Sequence, residues 1–369
     1  MPSRDRVLWA AALAVLLIAS AACDAPAPSA TAVDDPEGAD FVWLFAREIE
    51  ENDLATAVEM SLVRGDGSVA WSGRLQLDPG ARGVGIAFLA GPRAGRLAYG
   101  LVADGVTTVI RADARDGAAA EITTVEGAVH GAVLSPDAAV LYLVVEAAKL
   151  EIQRLSLEPG ATPEHVAFVP APAGPEVVIT PFRGLRSTPD GEHLLLERCD
   201  PVGRCIWLEV AVGGGEAREL DVEGAGRLID VSNDLLLTAA AGCDTGPCPY
   251  VIVDREARAG VAWDPGAHNA RLVVTPDGRS ILAYDTAGSG GAGIGIALVD
   301  PATLEERRLD PIGEPGAELG LAREGQDDWA PPGWLVLAGA GLNLGEQGGP
   351  VLVNVLDERV VRLPAAEPR

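Results

Sequence analysis

Four of the five cysteines fall into two close pairs, Cys199 with Cys205 in CDPVGRC and Cys243 with Cys248 in CDTGPC, while Cys23 stands alone. Each pair brackets Asp, Pro and Gly, which turn a chain back on itself and bring its ends within bridging range. Two readings are open: a pair of hairpin-tip disulfides, or a four-cysteine zinc site, which wants reducing surroundings and tighter spacing than the Cys199 pair has. The four histidines, His130, His165, His193 and His268, are scattered and form no His-x-His or His-Glu-x-x-His pair. His193 falls in a strand pattern and His165 is expected in a loop, which favours structural roles, although a ring-shaped fold can gather distant residues at its axis. Gly-x-Ser-x-Gly is absent, since Ser289 has Gly291 after it but Ala287 before it. Gly288, Gly290 and Gly293 space like a dinucleotide fingerprint, yet no helical pattern follows, so a hairpin loop is expected. Acidic clusters at Asp34-Asp35, Glu48 to Glu51 and Asp327-Asp328 lack the alternating oxygen ligands of a calcium loop. No catalytic residue, metal ligand or cofactor is assigned.

The elements that must position these residues are short runs of Val, Leu and Ile between turns of Gly, Pro and Asp, with almost no 3.6-residue periodicity. Three turns are alike: Leu134-Ser135-Pro136-Asp137, Ser187-Thr188-Pro189-Asp190-Gly191 and Val274-Thr275-Pro276-Asp277-Gly278. Pro sets φ at the first turn position, Asp bonds back to the backbone and Gly accepts a positive φ. Val231-Ser232-Asn233-Asp234 is a degenerate copy, and GPRAGRLAYG near Arg93 reads as another turn. The Asp positions 137, 190, 234 and 277 lie 53, 44 and 43 residues apart, close to one four-stranded propeller blade. Each unit adds a second hairpin, as in YVIVDREARAGVAWD and IGIALVDPATLEERRLD. The expectation is an all-β chain: a β-propeller of four-stranded antiparallel blades spanning residues 41–369, with seven blades starting near residues 41, 84, 128, 181, 226, 268 and 320. Six or eight blades are the alternatives, a helix over Ala46 to Met60 competes with strands, and Phe41 to Ala46 is a candidate to complete the last blade. In such a blade the first strand lines the channel and ends at the turn. His130, Arg183 and Arg227, seven residues before the turn Asp, and Arg271, six before, would therefore ring the opposite mouth. That ring is an anion-binding candidate, and local carboxylate pairing is the alternative.

These turns resemble those of WD-repeat-like propellers with a Ser-Pro-Asp-Gly turn, such as TolB-like periplasmic propellers and the non-catalytic propeller of prolyl-oligopeptidase-type peptidases. The resemblance covers three clear blades and implies a fold, not an activity. Trp263-Asp264 is the one Trp-Asp dipeptide, at an expected strand end. At the N-terminus, Arg4 and Arg6 precede an apolar run, Val7 to Ile18, and the small residues Ala19 to Ala22. This is the order of a secretory signal, and the run is shorter than the roughly 20 residues that cross a bilayer. Ser20-Ala21-Ala22-Cys23 resembles the lipobox of bacterial lipoproteins, with Ser20 where the family has Leu; an ordinary signal cleaved near Ala22 is the alternative. The resemblance implies a signal peptide over residues 1–22, a lipidated Cys23, and an Ala- and Pro-rich tether over 23–40. The chain would then sit in the cell envelope, lipid-anchored to the outer face of the cytoplasmic membrane or to the outer membrane.

The formal charge is −26, which repels phosphate backbones and excludes nucleic acid as a partner. Aromatic content of 4% leaves little for a sugar-stacking face. The expected function is a non-catalytic scaffold for an envelope protein partner or an anionic ligand. The alternative is a metal-dependent propeller hydrolase or lactonase with His and acidic ligands at the channel.

Overall fold

A run such as Val140–Glu146, VLYLVVE, is apolar on both faces of a strand, so neither face can be left in water and each needs a neighbouring sheet. The computed structural model describes residues 42–51, 54–76, 85–170, 184–199, 205–243, 248–266, 268–275, 277–286, 295–310, 319–321, 333–339 and 351–362. Their strands form seven antiparallel sheets of consecutive strands, six with four described strands and the first with three. Each is a blade of a β-propeller. First strands begin at Val42, Gly85, Ala128, Gly184, Ala225, Ala270 and Leu319, within three residues of the expected starts. Residues 1–40, with Cys23 and the acidic pair at 34–35, lie outside the described residues, as do Arg183, Asp327-Asp328 and the glycines at 288–293.

Two expectations are corrected. Ala46 to Met60 is not helical: strands Val42–Glu51 and Leu54–Arg64 pair across it, Trp43 opposite Val63. His165 lies on the outer strand Glu164–Phe168 of blade 3, opposite Gln153. Blade 1 has its own sense. Val42 lies beside Gly95 and Arg64 beside Ala114, both at the turn face of blade 2, so its first described strand runs opposite to the first strands of the other blades. It is therefore not the completion of blade 7, whose four strands are Leu319–Leu321, Trp334–Gly339, Val351–Asn354 and Val360–Arg362.

The core is a series of seams. On Val140–Glu146, Leu141, Leu143 and Val145 pack with Phe88 and Val109 of blade 2, while Tyr142 and Val144 pack with Leu194 and Leu196 of blade 4. The same alternation joins blades 1 and 2, 4 and 5, 5 and 6, and 6 and 7.

The repeated turns sit together on one face, where a hydroxyl at each turn start bonds the Asp two residues on. Ser135 donates to Asp137 at 2.6 Å, Thr188 to Asp190 at 2.5 Å, Ser232 to Asp234 at 2.8 Å, and Thr275 donates to Asp277. These bonds hold the Asp137 and Asp277 carboxyls below the usual carboxylate range, the hydroxyl being the main cause in both. Gly191 and Gly278 take the positive φ that closes the turn, and in blade 3 Ala138 takes it at 52°.

On the same face, the residue after a third strand ties a turn of its own blade to the blade before. Ala114, Leu157, Arg255 and Val355 each donate an N–H to a turn carbonyl of their own blade. Their carbonyls accept from an arginine of the preceding blade: Arg64 at 2.6 Å, Arg111 at 2.8 Å, Arg218 at 2.7 Å and Arg307 at 3.5 Å. At the blade 4–5 seam Arg255 is itself buried and paired with the buried Glu209, which Arg218 also approaches at 3.3 Å.

Removing one partner of a buried ion pair strands the other charge. Arg255→Met is expected to lower unfolding free energy by about 3 kcal/mol, whereas Arg279→Ala, which breaks the exposed pair with Asp277, should leave it almost unchanged. Urea unfolding of the two variants checks this, and equal midpoints would show that the seam pair contributes nothing.

Candidate functional site

A β-bulge inserts an extra residue, twists the strand and re-aims a side chain. Three first strands carry one near their start, on the face away from the turns. The pairing slips between Ile86 and Phe88, between Val129 and Gly131, and between Ala225 and Leu228. His130 and Arg227 therefore sit on bulges at matching places in blades 3 and 5. Arg271 lies in regular pairing opposite Ala283 of blade 6.

The four ring positions do not share one environment. His130 Nε2 is 2.7 Å from Glu146 on the next strand of its own blade, so it meets a local carboxylate. Arg183 is outside the described residues. Arg227 is exposed and Arg271 is buried. Burial is the main cause that raises the Tyr250 phenol; the charges of Arg271 and, more weakly, Arg227 oppose it, and Asp285 adds to it.

Carboxylates of the preceding blade hold the backbone beside these arginines. Buried Glu197 accepts the N–H of Leu228, next to Arg227, at 2.5 Å. Asp230 Oδ2 accepts the N–H of Leu272, next to Arg271, at 2.7 Å, and its Oδ1 accepts the N–H of Val231 at 2.8 Å. The sequence reading passed over both acids. Their signal is that each interrupts an apolar run, LLLERC and RLIDV.

Around Tyr250 the chain gathers aromatic rings at the seam between blades 5 and 6. Trp263 lies 5.7 Å from Tyr250 and 5.3 Å, edge-on, from Tyr284; His268 lies 6.1 Å from Tyr284. Tyr250 donates its hydroxyl to the His268 carbonyl at 2.9 Å, and Tyr284 donates to Glu306 at 2.8 Å. Asp285 accepts the backbone N–H of Asn269 at 2.6 Å and lies 3.9 Å from His268 Nδ1. Burial pushes both phenols above their ordinary value, and at Tyr284 the Glu306 carboxylate adds to it. With 4 tyrosines in the chain, half of that complement stands here.

The disulfide Cys243–Cys248, with Cα atoms 5.7 Å apart, closes the tip that enters Tyr250. Cys205 is also disulfide-bonded, and the residue directly across the ladder from it is Cys199. Both tips join second to third strands, so they lie on the arginine face. Among the described residues no three His, Cys, Asp or Glu converge. His165 Nδ1 meets Glu151 at 2.9 Å, and its ring lies tilted against Phe168, with centroids 4.3 Å apart. The arrangement offers guanidinium charge beside aromatic surface, which suits binding of a negatively charged group.

These features define a seven-bladed β-propeller with arginines and an aromatic cluster at one seam on one face. The chain matches no family model and no curated protein sequence. It is similar in fold to an oligogalacturonate lyase in complex with manganese, with 17% identity and a TM-score of 0.50 over 88% of this chain and 85% of that one. It is also similar to the oligogalacturonate lyase of Vibrio parahaemolyticus, with 13% identity and a TM-score of 0.47 over 90% and 87%. A putative TolB from Agrobacterium tumefaciens gives 15% identity and a TM-score of 0.40 over 66% and 80%. At these identities the common property is the propeller fold.

A spectrophotometric titration of the intact chain should show tyrosinate forming later than for a free phenol, because burial opposes the charged phenolate at Tyr142, Tyr250 and Tyr284 and pushes Tyr99 up to about 12. Tyr250→Phe and Tyr284→Phe should each remove one of the delayed steps; a step at pH 10 that either variant abolishes would place that phenol in water.

Proposed function

We propose that this chain is an envelope lipoprotein, anchored through a lipid on Cys23, whose propeller is a non-catalytic binding scaffold. Its ligand is an anionic group, carried by a small molecule or by an acidic segment of an envelope partner. The observation that carries the reading is placement: Arg227 and Arg271 stand near the starts of adjacent first strands, in blades 5 and 6, on the face that also holds Tyr250 and Trp263. In a chain of net charge −26, two arginines on one face are a local source of positive charge. A guanidinium binds carboxylate or phosphate through paired donors and stacks on aromatic rings. The Ser20-Ala21-Ala22-Cys23 motif supports the anchor, and the Ala- and Pro-rich segment after it suits a spacer between lipid and propeller.

The first test is calorimetric titration of the lipid-bearing chain in detergent with inorganic phosphate and with hexaglutamate. Binding of either probe that weakens about ten-fold in Arg227→Glu is expected, the size of one charge-assisted contact. Lack of binding by both probes would remove the anion reading. A stoichiometric metal found by elemental analysis of chain purified without chelator would turn the reading towards a metal-dependent hydrolase. For the anchor, mass spectrometry should find a diacylglyceryl thioether on Cys23 as the new N-terminus, and Cys23→Ala should leave the membrane fraction; processing unchanged in Cys23→Ala would overturn it.

A further inference from the structure

The outermost strand of a blade has N–H and C=O groups with no neighbour in its own sheet, and such an edge is a template for another chain. Proteins commonly blunt these edges with charge. Here every outermost strand but one carries an Arg or Glu, from Arg74 in Val69–Gln76 to Arg362 in Val360–Arg362. The exception is the fourth strand of blade 5, Ala259–Trp263, whose sequence AGVAW has neither charge nor proline. Its first four residues are exposed, Val261 at 52%.

Charges stand at its ends instead. Arg258 precedes the strand and Asp264 follows it, both exposed and each three residues from Val261. The segment RAGVAWD is therefore complementary to itself when reversed. In an antiparallel pair centred on Val261, Arg258 of each copy faces Asp264 of the other. Ala259 faces Trp263, Gly260 faces Ala262, and Val261 faces its counterpart on the two-fold axis. A parallel pair in the same register would set Arg against Arg and Asp against Asp. A symmetric contact in which one patch meets itself is the commonest route to a dimer.

The geometry points to a second copy of this chain as the occupant: two propellers join through antiparallel pairing of their Ala259–Trp263 edges, making two four-stranded blades one continuous sheet. This does not rest on the anion-binding reading. The contact is weak, because a five-residue edge buries far less than the roughly 1,200 Å² of a stable interface and the two acidic bodies repel at long range.

A weak symmetric pair is trapped best by a cross-link on its axis. In either kind of antiparallel pair, facing Cα atoms are about 4.5 to 5.5 Å apart, within disulfide range. The full chain carrying Cys23→Ser and Val261→Cys should oxidise to a covalent dimer. The same chain with Val360→Cys, a 45% exposed position on the outer strand of blade 7, should stay monomeric. Adding Arg258→Asp to Val261→Cys should slow cross-linking about ten-fold, with like charges now facing at both ends. The reversal Arg258→Asp with Asp264→Arg should restore it, since opposite charges face each other again. Equal cross-linking at 261 and 360, or none at 261, overturns the proposal; so does failure of the reversed pair to recover in a chain whose circular dichroism matches the parent.

Discussion

Each blade is apolar on both faces, so none can be stable unless a neighbour covers each side. That constraint explains the closed ring better than any single contact. Burial of Leu141, Leu143 and Val145 against blade 2 has no value without burial of Tyr142 and Val144 against blade 4, because these residues alternate along one strand. Apolar packing carries no direction, however, and leaves the blades able to slide. Register comes from the residues after the third strands. At Ala114, Leu157, Arg255 and Val355 the N–H fixes the blade's own turn while the carbonyl takes an arginine from the blade before. A slip at one seam would break a charge-assisted bond and a turn bond together.

Much of the architecture is legible in the sequence because it rests on local chemistry. The Ser/Thr-Pro-Asp turns are hydroxyl-to-carboxylate devices within three residues, and their recurrence places the blade starts. What was not legible depends on contacts across seams. Of the arginines that reach these carbonyls, Arg64 stands on the second described strand of blade 1, Arg111 on the third strand of blade 2, and Arg218 and Arg307 on the fourth strands of blades 4 and 6. No fixed period connects them. The direction of blade 1 was equally hidden, since AREIEENDLATAVEM carries few strand formers in its first half and only pairing across it shows two strands. His165 looked like a loop residue because an outer strand keeps one side in water, and EHVAF has too short an apolar pattern to stand out.

The candidate site was half legible for the same reason. Counting back from each turn found positions that are equivalent in sequence, and the fold does place His130 and Arg227 alike, on bulges near the starts of their strands. Equivalence of backbone did not give equivalence of chemistry. His130 meets Glu146 of its own blade, whereas Arg227 and Arg271 lie near the starts of first strands on either side of the blade 5–6 seam. The difference lies in what the preceding blade offers: Glu197 and Asp230 accept the N–H beside each arginine, and no periodic signal in the sequence marks that relation.

The two faces of the ring thus carry different burdens. The turn face holds the Asp-capped turns, the arginine bonds to third-strand carbonyls and the buried Glu209–Arg255 pair, and there Ser280 of blade 6 bonds Ser232 of blade 5 at 2.6 Å. With register fixed at that end, the other end is free to depart from the repeat. Its departures include the first-strand bulges of blades 2, 3 and 5, the disulfide-closed tip at Cys243–Cys248 and the rings around Tyr250. A bulge costs paired backbone bonds, and such a cost is tolerable only where the strand is already held elsewhere along its length. Binding chemistry in this propeller is therefore expected on the arginine face, where the seams of blades 4 to 6 can vary without loosening the ring.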